Sequence, residues 1–167
     1  MAYAWIGLIT VGLVALSYLI ACIWSYTVDD AFITFRYAEN FVQGWGITYN
    51  QLPPKAEGYT SFLWVLVMAV PHVFGISAEV FSKVVSILFS VASMAFVSLS
   101  VYILSDKLSK KSRIHASLFA LMLILTFPYC ATHIVSGMET ALAACLYAVV
   151  IFCFVYVKAS SKNSRIL

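Results

Sequence analysis

Residues 3–26, YAWIGLITVGLVALSYLIACIWSY, run for 24 positions without a charged side chain. At about 1.5 Å of rise per residue, a helix of that length exceeds the roughly 30 Å hydrocarbon core of a bilayer and can span it with some tilt. The chain then reads Thr27-Val28-Asp29-Asp30. An Asp near the middle of a membrane helix costs about 2.5–3.5 kcal/mol on insertion scales, so the tandem acids mark a water boundary. That boundary sets the fold class: an all-α integral membrane protein whose first polar loop opens on a pair of carboxylates.

Composition agrees. The chain has 167 residues, of which 63% are hydrophobic and 10% charged, with a mean hydropathy of +0.96. Soluble domains average about 45–50% apolar and about 25% charged. The net charge of +3 sits at the ends of apolar runs rather than in a patch, which excludes a nucleic-acid partner. Cys22, Cys130, Cys145 and Cys153 lie in or beside apolar runs, with no CxxC and no ligand spacing to His, so neither a disulfide framework nor a zinc site is expected. Residues 1–167 form one membrane domain.

Four spans are predicted, at about 3–26, 80–104, 114–133 and 140–157. Pro128 lies near the exit of the third. Residues 59–75 are also apolar, but the segment is short and holds Pro71 and His72, which suits an interfacial or re-entrant helix. Lys/Arg excess marks the cytoplasmic side. The loop 105–113 carries Lys107, Lys110, Lys111 and Arg113 against Asp106, and the tail 158–167 carries Lys158, Lys162 and Arg165. Both are therefore expected inside. The loop 27–58 holds Asp29, Asp30, Glu39 and Glu57 against Arg36 and Lys55. If 59–75 does not cross, that loop is external and the N-terminus internal, the arrangement we prefer. If it crosses, the two exchange sides.

Within the loop, Phe32, Phe35, Ala38 and Phe41/Val42 recur at helical spacing, opposite Thr34, Arg36, Glu39, Asn40 and Gln43. Asp29 or Thr27 can cap this helix and Gly44 can end it. It reads as an amphipathic helix on the outer surface, with Trp45, Tyr49 and Tyr59 at headgroup depth. A solvated cap explains Asp29-Asp30 by itself. Company makes the pair a candidate site: Arg36 about two turns on, Lys55 and Glu57 in the same loop, and Glu139 delivered to the same face by the third and fourth spans. Paired carboxylates can hold a divalent metal through hard oxygen ligands, or one can act as general base on a sugar hydroxyl. Arg36 and Lys55 can grip a phosphate.

The ordered series Asp29-Asp30, Arg36-Tyr37-Ala38-Glu39-Asn40, Gly44-Trp45-Gly46, Tyr49-Asn50, Glu57-Gly58-Tyr59-Thr60-Ser61-Phe62-Leu63-Trp64 and, much later, Ser136-Gly137-Met138-Glu139-Thr140 resembles the N-terminal part of GT-C membrane glycosyltransferases. The nearest likeness is to arabinofuranosyltransferase-like and lipopolysaccharide-modifying members, over about residues 5–157. The resemblance implies an enzyme of the plasma (inner) membrane. It would move a sugar from a polyprenyl-phosphate donor to a glycan or lipid acceptor on the external, periplasmic face. Asp29, with Asp30 second, takes the role of the acid that deprotonates or orients the acceptor, with a divalent metal held there in some members. Glu139 takes that of the later external acid, and 30–43 and 59–74 those of the juxtamembrane helices. Such enzymes usually continue through further spans. The expectation is therefore an N-terminal module completed by more chain or a second polypeptide. The competing expectation is a non-catalytic or truncated relic of the scaffold.

Other features have structural readings. Lys83 four residues after Glu79 is expected to pair with it and snorkel to water. His133 borders the later turn and is a candidate for substrate contact, although an interfacial histidine is the simpler role, as it is for His72 and His115. Ser90, Ala92, Ser93, Ala95 and Ser98 offer small residues for close helix contact, and Ser117, Ala141, Ala143 and Ala144 can do likewise. Leu19-Ile20-Ala21-Cys22 resembles a lipoprotein box, but no basic segment precedes it and the apolar run continues through Trp24.

Overall fold

A computed structural model describes residues 2–54, 56, 58–127 and 129–163. Among them are seven helices and no strand: α1 (Ala2–Cys22), α2 (Asp29–Val42), α3 (Phe62–Phe74), α4 (Ala78–Leu104), α5 (Lys110–Leu125), α6 (Tyr129–Val135) and α7 (Thr140–Asn163). Three stretches are single helices long and apolar enough to cross a membrane: Trp5–Cys22, Ala78–Leu104 and Thr140–Ser161. The third expected span is not one helix. It breaks into α5 and α6, bent by 64°. Thr126 ends α5 by turning its hydroxyl back to the Met122 carbonyl at 2.8 Å.

The central packing is α4 along α7, with α5 on the other side of α4 and α1 against α5 and α6. Ala141, Cys145, Ala148 and Val155 form the buried stripe of α7. Against it α4 presents small side chains, and Phe96 meets Phe152 with ring centroids 5.3 Å apart. Small residues at helix contacts are what association in lipid requires, because no water is released to drive it. Ser117 of α5 also donates to the Ser98 carbonyl of α4 at 2.8 Å. At the basic end, Arg113 donates to the Tyr102 carbonyl at 3.0 Å, and its guanidinium lies 4.1 Å from the Tyr102 ring centroid.

Helices α2 and α3 cap the opposite end. Ala31, Phe35, Tyr37 and Ala38 of α2 pack on Trp64, Val65, Met68 and Ala69 of α3. Helix α3 has 13 residues, about 20 Å at helical rise, too short for a bilayer core. The Thr27 hydroxyl donates to Glu79 Oε1 at 2.7 Å, so the segment between them leaves and rejoins the bundle at one level, as expected of a segment that does not cross by itself.

The buried face of α2 differs from the expected stripe. Phe32 and Phe41 are exposed, whereas Thr34 and Asn40, placed on the polar side by their spacing, are buried. Asn40 can afford burial because its amide is saturated. It donates to the Thr48 and Tyr49 carbonyls at 2.8 and 2.9 Å and accepts from Gln51 at 3.2 Å. The helix ends as expected near Gly44, which has φ +86°. Gly44 N–H reaches Phe41 O and Trp45 N–H reaches Asn40 O, the Schellman pattern. Its start differs: the N-cap residue is Val28, which has no acceptor to offer, so no side chain caps the helix, and the Thr27 hydroxyl bonds Glu79 instead.

Candidate functional site

The acid-bearing end is built by three chain segments. Helix α2 starts at Asp29-Asp30, and its entry is pinned by the Val28 N–H donating to the Ser136 carbonyl at 3.0 Å. The Ser136–Glu139 turn comes from between α6 and α7. Trp64 of α3, fully buried, donates its indole N–H to the Gly137 carbonyl at 3.0 Å. Gly137 has φ +81°, and a Cβ there would stand 2.9 Å from Ala31 Cβ and 3.2 Å from Thr27 Cγ2. Only a glycine lets the turn approach α2 this closely.

The turn thus delivers Glu139 to the end of the bundle that carries the aspartates. The Thr60 hydroxyl donates to Glu139 Oε1 at 3.3 Å. Thr60 also lines a cleft of about 220 Å³ with Asp30, Thr34, Tyr59 and Met138. Asp30 therefore borders the cleft directly, and Glu139 reaches its rim through Thr60. Asp29 is exposed one position earlier; consecutive helical residues diverge by about 100°, and it is not among the cleft-lining residues.

The other candidates separate. Arg36 is paired with Glu39 at 2.9 Å and lines a different basin, of about 550 Å³, with Tyr49, Asn50 and Gln51. His133 is exposed and borders a third, apolar cavity of about 150 Å³ among α4, α5, α6 and α7, with Ser93, Met94 and Ala144. Lys55 and Glu57 lie outside the described residues. Among the described residues no group of three His, Cys, Asp or Glu side chains gathers to hold a metal. Among the described residues, Asp29 and Asp30 thus offer a metal two carboxylates and no third acid.

Comparison with protein-family models, with curated proteins and with solved structures finds no match. The fold and site geometry therefore stand on this chain's own residues.

One feature of this end differs from its sequence reading. Lys83 does pair with Glu79, at 2.9 Å, but it does not snorkel. It is 2% exposed, donates to the Trp24 carbonyl and sits 5.5 Å from the Trp24 ring centroid. With Thr27 on the same Glu79 oxygen, Lys83 and Glu79 tie the exit of α1 to the start of α4. The i, i+4 spacing revealed the pair, but nothing in the sequence pointed to the carbonyl of Trp24, 59 residues away.

Proposed function

We propose that this chain is a glycosyltransferase, or the N-terminal module of one, that uses a polyprenyl-phosphate sugar at the external face of the plasma membrane. The observation that carries the reading is the cleft bordered by Asp30 and Thr60, with Glu139 bonded to Thr60, at the end of an apolar helical bundle. A lipid-linked donor would present its phosphate at that depth, and the acceptor is an envelope glycan or lipid.

In this reading a carboxylate of the Asp29-Asp30 pair accepts the proton of an acceptor hydroxyl. The oxygen attacks the anomeric carbon as the carbon–oxygen bond to phosphate breaks, and polyprenyl phosphate leaves with the electron pair. General-base assistance of this kind contributes about 100- to 10,000-fold in rate. Cleft geometry favours Asp30 as the base, whereas the family resemblance assigns Asp29 the first role. Cations stabilise the leaving phosphate, the part that the sequence reading gives to Arg36 and Lys55; of the two, Arg36 stands in the neighbouring basin, paired with Glu39. A divalent metal would be held by the Asp29-Asp30 carboxylates and would help neutralise the leaving phosphate, as Mg²⁺ does when bound through one or two carboxylates.

The second reading is a non-catalytic membrane protein on the same scaffold. The pairing of Arg36 with Glu39, away from the cleft, favours it. Profiling of lipid-linked sugars and surface glycans separates the two, in cells that depend on this chain and carry Asp29→Asn or Asp30→Asn. The transferase reading expects Asp30→Asn to cut product by about 100-fold or more while the lipid-linked donor accumulates. Unchanged profiles in both variants would establish the non-catalytic reading.

A further inference from the structure

The basic end holds a second built feature that sugar transfer does not use. Helices α1 and α5 touch where Gly12, at the middle of α1, meets Met122 and Leu125 in the last turn of α5; a Cβ at Gly12 would stand 3.5 Å from Leu125 Cβ and Met122 Cε. Toward their N-termini a space of about 350 Å³ opens between them, within the range of ligand pockets, about 300–1,000 Å³. Its walls are apolar: Ile6 and Ile9 from α1, Ile114 and Leu118 from α5. At its mouth stand Lys111 and His115, with the Trp5 ring 5.9 Å from that of His115.

The charges at this mouth are unequal in availability. Arg113 is committed to the Tyr102 carbonyl and ring. Lys110 and Lys111 are exposed, and among the described residues neither forms a side-chain ion pair. From Lys111 to Leu118 is about 10 Å along the helix axis. With Trp5 at headgroup level, the groove would reach about a third of the way into the hydrocarbon. A cation and an aromatic at the mouth and an apolar slot below match a molecule with an anionic head and an alkyl tail.

We propose that the groove between α1 and α5 is a binding site for an anionic phospholipid of the leaflet at the basic end of the bundle. The lipid phosphate sits on Lys111 with His115 beside it, and one acyl chain lies along Ile9, Ile114 and Leu118. Basic pockets between membrane helices on the Lys/Arg-rich side recognise acidic headgroups in this way. The site is at the opposite end from Asp30 and stands whether or not the chain transfers a sugar.

Trp5 supplies the readout. The full-length protein is reconstituted in phosphatidylcholine vesicles containing brominated phosphatidylglycerol or, at equal bromine content, brominated phosphatidylcholine. The Trp5-dependent emission is the difference between wild type and Trp5→Phe. The expected result is about a fivefold preference for the anionic lipid in quenching that emission, weakened by added salt. Lys111→Glu abolishes the preference and Lys111→Arg keeps it. Ile114→Trp fills the slot with the lysine intact and lowers quenching by both lipids, read from the difference between Ile114→Trp with and without Trp5→Phe. Equal quenching by the two lipids in the wild type would overturn the site. So would quenching by neither with emission that follows protein density, which would put a second copy in the groove.

Discussion

The cap formed by α2 and α3 and the spanning helices obey different solvents. In the cap, Ala31, Tyr37, Trp64, Val65 and Met68 are essentially sealed from solvent, and Asn40 is buried with its amide fully bonded. In the spans most apolar side chains face outward. Only 11% of the α1 window, 17% of the α4 window and 28% of the α7 window are buried inside the protein. The cap is a small water-type core, stabilised by burying apolar area and closing polar bonds. The bundle leaves its apolar surface for lipid and uses small residues to bring backbones together. The positions that set the candidate site, Asp30 and the Gly137 turn, belong to the cap or rest on it.

Aromatic-to-alanine truncations in the two regions test this contrast most strongly. Trp64→Ala removes a fully buried side chain and the bond to Gly137, and is expected to cost about 3–5 kcal/mol. Phe154→Ala on α7, where the ring is 69% exposed, is expected to stay within about 0.5 kcal/mol. Chemical unfolding of both variants in detergent micelles measures the two. Similar losses would show that the spans have a core of their own and that the contrast is wrong.

Gly137→Ala sharpens it. The substitution places a Cβ in the left-handed region and against Ala31, and a cost of about 3 kcal/mol combines the backbone strain with the overpacking. Because the clash lies between the turn and α2, helical circular dichroism is expected to hold while protease cleavage within 43–61 rises. A parallel fall in helicity would mean that cap and bundle unfold as one unit.

How much of this was legible follows the same divide. Long apolar runs, broken in α4 only by Lys83, locate α1, α4 and α7, because one lipid-facing helix needs little tertiary information; α7 continues past the expected end at 157 to Asn163. The Lys83–Glu79 pair was visible at its i, i+4 spacing. The break between α5 and α6 is not legible in the sequence, since the apolar run continues through it. In the cap, sequence logic misplaced Thr34 and Asn40. A polar side chain reads as solvated unless its partners are known, and those of Asn40 are loop carbonyls eight and nine residues on. Asp29 and Thr27 each looked able to cap α2, and only the distant Glu79 decides that Thr27 is occupied elsewhere. Asp30, rather than Asp29, borders the cleft because of helical phase, which a tandem pair cannot reveal.

The smallest expected effect compares the same kind of bond in both settings. Asn40→Ala leaves the Thr48 and Tyr49 carbonyls without their side-chain donor inside the cap; about 1–3 kcal/mol is the cost of orphaned buried polar groups. Ser117→Ala removes a single bond of 2.8 Å to the Ser98 carbonyl between α5 and α4. That carbonyl keeps a place in its own helical ladder, and the partly unfolded chain in a micelle finds substitutes, so the expected loss is about 0.6 kcal/mol. Unfolding midpoints of the two variants in one detergent provide the measurement. If Ser117→Ala costs as much as Asn40→Ala, hydrogen bonds rather than small-residue packing hold α5 to α4, and the spans are closer to the cap in character than their exposure implies.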